Sequence, residues 1–169
     1  MTFCSVFLGV LSGIIAGVLI NIAIDAYRNW RIQRKNIKNL KFEIDFNIKK
    51  IDLLLADIQN YRNQVNGDSL PSFFHYFVLT QVITTTLGYM FHDRSIYKCL
   101  DHEHIGTLQI FYKLFSPEME RNLNNQITWN KEHIGELGVK QKVVQQIDAL
   151  ELGFKNVKKD LNTIKDKLK

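Results

Sequence analysis

Between Thr84 and Lys98 the chain gathers side chains able to hold a phosphorylated, base-containing ligand. Arg94 and Lys98 suit phosphate, Tyr89, Tyr97 and His92 suit stacking on bases, and the hydroxyls of Thr84, Thr85 and Thr86 suit base edges. The competing reading is ordinary surface structure, with Arg94 paired to Asp93 or Asp101 and the threonines packed on a neighbour. A smaller group, Trp129, Asn130, Lys131 and His133, could stack a base or could cover the edge of a core.

Catalytic chemistry finds less support. Asp101-His102-Glu103-His104 contains metal-ligand types, but side chains at i and i+2 on a helix face apart, so no metal is expected there. The chain has no Gly-x-x-x-x-Gly-Lys phosphate loop, no Gly-x-Ser-x-Gly elbow and no Cys-x-x-Cys pair. Its two cysteines, Cys4 and Cys99, fall in segments too different to pair. No catalytic residue, cofactor or enzymatic activity is expected.

These residues need elements to position them. In 169 residues, 46% hydrophobic and 23% charged, with a formal charge of +5, the composition excludes a disordered, collagenous or disulfide-stapled chain. Residues 3–24 carry no charge and one amide, Asn21, which reads as one transmembrane helix retained in the protein. Arg28, Arg31, Arg34, Lys35, Lys38 and Lys41 follow it. The positive-inside bias then sets the N-terminus outside and the remainder in the cytoplasm. Ser5, Gly9, Gly13, Gly17 and Asn21 recur every four residues, a stripe that lets helices approach closely and points to self-association. The domains expected are an anchor over 1–25 and a cytoplasmic helical domain over 26–169.

An all-α fold is expected, the first helix running on into a long one. Ile37, Leu40, Ile44, Asn47, Ile51, Leu54, Ile58, Tyr61 and Val65 alternate in threes and fours, a coiled-coil seam ended by Asn66-Gly67-Asp68. Phe42, Phe46, Ile48, Leu53 and Leu55 widen the apolar stripe, so either later helices of the chain or more than two copies must cover it. Val143, Ile147, Leu150, Phe154, Val157, Leu161, Ile164 and Leu168 form a second seam, its lysines on the solvated faces. Asp101 is placed as the cap of a helix burying Ile105, Leu108, Tyr112 and Phe115, and Ser116-Pro117-Glu118 as the start of the next, ending near Gly135 to Gly138. The stretch 78–86 reads as a helix, with a short strand as the alternative.

The layout resembles small single-span bacterial defence effectors. The resemblance rests on the Gly9/Gly13/Gly17 stripe, the basic run after it, Leu40-Lys41-Phe42-Glu43-Ile44-Asp45-Phe46-Asn47 and Leu108-Gln109-Ile110-Phe111-Tyr112-Lys113-Leu114. Among such proteins it is most similar to the membrane-anchored effectors of type III CRISPR systems. That resemblance implies an antiviral homo-oligomer, for instance a tetramer, that binds cyclic oligoadenylate and opens a pore. The expected partners are the lipid bilayer, other copies of the chain and that nucleotide, with no DNA. From a different class, the same features fit a membrane-anchored coiled-coil scaffold that binds a protein.

Overall fold

The structure is a computed structural model that describes residues 3–67 and 76–168, with side chains from Gly13 onward. Among the described residues five α-helices follow one another: α1 (Phe3–Asn66), α2 (Thr85–His92), α3 (His102–Leu114), α4 (Pro117–His133) and α5 (Val139–Lys167). Two 3-10 turns, Leu79–Gln81 and Ser95–Lys98, lie between α1 and α3. The described residues contain no strand, so the fold is all-α as expected. The chain divides into two compact units, Met1–Lys38 and Asn39–Lys169.

In the first unit, the side chains of α1 from Ile14 to Ile24 are exposed and, Asn21 apart, apolar, and Tyr27, Trp30 and Ile32 continue that exposure. Arg34 lies over the Trp30 ring at 5.3 Å. No helix among the described residues is long and apolar enough to cross a membrane, which corrects the single-pass placement expected from the sequence. The side chains of Cys4, Ser5 and Gly9 lie outside the described residues.

The second unit is built on the seam. Leu40, Ile44, Asn47, Ile51, Leu54, Ile58, Tyr61 and Val65 are all buried, as are Val143, Ile147, Phe154, Leu161, Ile164 and Leu168 of the C-terminal segment. Ion pairs join the two helices: Asp45 to Lys165, Asp52 to Lys158 and Arg62 to Asp148, each at 2.6 Å. Partners rise along α1 as they fall along α5, so the helices run antiparallel and the later helix of the same chain covers the first. Burying each Ile or Leu contributes roughly 1.5–3 kcal/mol, against roughly 0–1 for an exposed ion pair, so the seam holds the pair and the charges set its register.

The two middle helices start where their caps require. Asp101 accepts from the His104 backbone N–H at 3.0 Å and also contacts the His104 ring, which together hold its carboxyl below the usual carboxylate range. Ser116 accepts from the Met119 N–H at 3.3 Å, with Pro117 in the first turn of α4. Gly138, at φ 80°, turns the chain into α5 in the left-handed region that glycine enters without strain.

Between α1 and α2 the chain forms a strap held by side chains. Asn124 of α4 receives the Phe77 N–H and donates to the Phe77 carbonyl, both at 2.9 Å. Asn47 of α1 does the same for Ile83, at 2.8 and 2.6 Å. Glu120 accepts the Thr80 N–H at 2.8 Å and its hydroxyl at 2.9 Å. Residues 78–86 are thus neither a continuous helix nor a strand: two amides act as peptide surrogates for the strap's backbone, and regular structure resumes only at Thr85. Asp68 and the aromatic run over 72–75 lie outside the described residues.

Candidate functional site

Glu43 on α1 decides where α2 begins. The N-cap position, Thr84, makes no side-chain cap, and the buried Glu43 carboxylate instead accepts the N–H of Thr86 at 2.7 Å and of Leu87 at 3.2 Å. A carboxylate at a helix N-terminus answers both the orphan donors and the dipole. Thr85 is exposed and Thr86 half-buried at this start, while Tyr89 and His92 lie further along α2, both exposed.

After α2, Asp93 accepts the Ser95 N–H at 2.8 Å, and Arg94 takes a left-handed backbone at φ 61°. For a residue with a Cβ that conformation costs roughly 1 kcal/mol. Arg94 makes no ion pair among the described residues, neither with Asp93 nor with Asp101, which caps α3. Lys98 is exposed on the following 3-10 turn. The Cys99 thiol is pushed up chiefly by burial, the nearby Lys98 opposing, which keeps it protonated.

Of the residues selected between Thr84 and Lys98, Tyr97 opens onto a groove. Tyr97, Gly88, Phe91, Gln109 and Tyr112 line a groove of about 470 Å³ between α2, the Ser95–Lys98 turn and α3. Tyr97 and Tyr112 are 50% and 51% exposed, so their rings are available to a ligand. Thr84, Thr85, Thr86, Tyr89, His92, Arg94 and Lys98 are not among its lining residues. Tyr112 was expected on the inner face of α3; the buried face instead runs Ile105, Leu108, Phe111 and Phe115, with Phe111 and Phe115 rings 4.9 Å apart. The i, i+3 step from Leu108 to Phe111 is the signal that separates the two readings, and it turns Tyr112 outward.

The smaller aromatic group does not form one surface. The Trp129 ring stacks on His133 of its own helix, 4.3 Å between centroids and 11° between planes, while Asn130 points inward and is buried. Asn130 Nδ2 donates to the Tyr61 hydroxyl at 3.3 Å and to Gln146 Oε1 at 3.2 Å. Burial raises the Tyr61 phenol above its ordinary range, and the Asn130 bond partly offsets that. Among the described residues no group of three His, Cys, Asp or Glu is placed to hold a metal ion. No family model, no curated protein and no solved structure matches this chain.

Proposed function

We propose that this protein is a self-assembling helical scaffold, in which copies associate through the N-terminal part of α1. The observation that carries this reading is the exposed run Ile14, Ile15, Val18, Leu19, Ile20, Ile22 and Ile24, which nothing among the described residues covers. A helix that is apolar on every side is stable in water only when buried by other helices. Gly13 and Gly17 leave open space that a neighbouring backbone can enter. The decisive experiment is the mass of the full chain by native mass spectrometry, compared with a variant carrying Ile15→Asp and Leu19→Asp. A discrete oligomer that the double substitution reduces to monomer supports the reading; a monomeric parent chain overturns it.

A second reading, that the assembly senses a nucleotide messenger, is favoured by the groove that Phe91, Tyr97 and Tyr112 line, with the cationic Lys98 next to Tyr97. Aromatic rings beside a cation suit a base attached to phosphate. Titration with linear and cyclic oligoadenylates tests it: saturable binding abolished by Tyr97→Ala supports the sensor, and indifference to every nucleotide leaves the scaffold alone.

A further inference from the structure

A crevice of about 290 Å³ lies between α4 and α5, with Tyr61 of α1 among its lining residues. Leu123 and Leu150 supply apolar walls, and Gln126, Asn130 and Gln146 bring three amides to it. Among the described residues no charged side chain lines it. Asn130 is only 3% exposed, and its two amide hydrogens are committed to Tyr61 and Gln146. Its Oδ1 is buried and has no hydrogen-bond partner among the described residues. A buried carbonyl left without a donor is costly, which makes it the place where a ligand gains most.

The Asn130–Gln146 bond also fixes what remains to be recognised. It uses the donor of the first amide and the acceptor of the second, leaving Asn130 Oδ1 to accept and Gln146 Nε2 to donate. A ligand edge complementary to that pair carries an N–H donor beside a carbonyl acceptor, the pattern of a cyclic lactam. The absence of lining charge excludes an ionised ligand, since an ion would leave water without a counter-charge. The volume, roughly ten times the share of one liquid water molecule, suits a bicyclic ring.

We propose that this crevice binds an uncharged, lactam-edged heterocycle of nucleobase type, its N–H donating to Asn130 Oδ1 and its carbonyl accepting from Gln146 Nε2. The site is separate from the groove of Phe91 and Tyr112 and rests on neither reading of the function.

The full chain is titrated with hypoxanthine by ligand-detected NMR, alongside 1-methylhypoxanthine, which keeps the bicycle and loses the lactam N–H. Hypoxanthine is expected to bind saturably and at least about tenfold more tightly than the methylated ring. Asn130→Leu should abolish the difference. Because that substitution also removes the bonds to Tyr61 and Gln146, a second variant, Ala149→Phe, narrows the crevice at an exposed lining residue and leaves the amide network intact. Ala149→Phe is expected to weaken hypoxanthine at least about tenfold. Equal affinity for the two rings, no saturable binding, or binding that survives Ala149→Phe overturns the proposal.

Discussion

Asn47 and Ile83 are joined by two hydrogen bonds, the Asn47 amide donating to the Ile83 carbonyl at 2.6 Å and accepting from its N–H at 2.8 Å. By heptad position Asn47 is a polar interruption in an apolar seam, the kind of residue that sets register at some cost in stability. In the fold it is the inner attachment of the strap. The two roles give opposite expectations for Asn47→Leu. A seam defect would be repaired and the protein stabilised; a strap attachment would be lost, with the Ile83 N–H and carbonyl left unpaired. Urea denaturation should show a loss of about 2 kcal/mol.

Glu43 makes a companion prediction. Glu43→Ala removes a carboxylate that accepts two backbone N–H groups at the start of α2, at 2.7 and 3.2 Å. The expected loss is about 2–3 kcal/mol, because both bonds are charge-assisted and the donors face a buried site. Hydrogen exchange should accelerate at Thr86 and Leu87 more than at Met119, whose cap is Ser116.

The antiparallel pairing of α1 and α5 permits a comparison between neighbours. Ile51 is fully buried in the seam, and Asp52 next to it pairs with Lys158 at 2.6 Å on the surface. Ile51→Ala should cost about 2–5 kcal/mol, from lost transfer energy and the cavity left behind. Asp52→Ala should cost no more than about 1 kcal/mol and less at high salt. Equal losses for the two would mean that charge, and not packing, holds the helices together.

Acid should act on the start of α3. Asp101 has its carboxyl held low by the His104 backbone N–H first and the His104 side chain second. A carboxylate whose folded value is depressed contributes stability above its unfolded value, near pH 3.9, and loses that contribution as the pH falls through the folded value. Thermal unfolding below about pH 4 should therefore fall less steeply for Asp101→Asn than for the parent chain. Identical acid limbs would remove Asp101 from the account.

Gly13→Ile separates assembly from folding. A Cβ at Gly13 meets nothing within 4 Å among the described residues, so the substitution begins in open space. Helix propensity even favours it slightly. A smaller oligomer with an unchanged urea midpoint for the second unit is the expected result; an unchanged mass would take Gly13 out of the contact between copies.

Much of this fold could be read from the sequence alone because its signals are local. Hydrophobic periodicity needs only a few turns of helix to declare itself, and it marked Leu40, Ile44, Ile51 and Ile58 and, in α5, Val143, Ile147 and Leu161, all of them buried. The caps Asp101 and Ser116 were equally legible, since a cap and the N–H it serves lie three residues apart. What covers a seam is not a local property. Periodicity is satisfied equally by another copy or by a later helix, and the pairs Asp45–Lys165 and Asp52–Lys158 chose the latter. Glu43, Asn47, Glu120 and Asn124 carry no pattern that announces a strap, because each finds its partner 36 to 47 residues away. The candidate sites divide in the same way. Tyr97 was visible as a residue type, but its meeting with Tyr112 and Phe91, and the unsatisfied carbonyl of Asn130 beside Gln146, exist only once helices far apart in sequence are packed against one another.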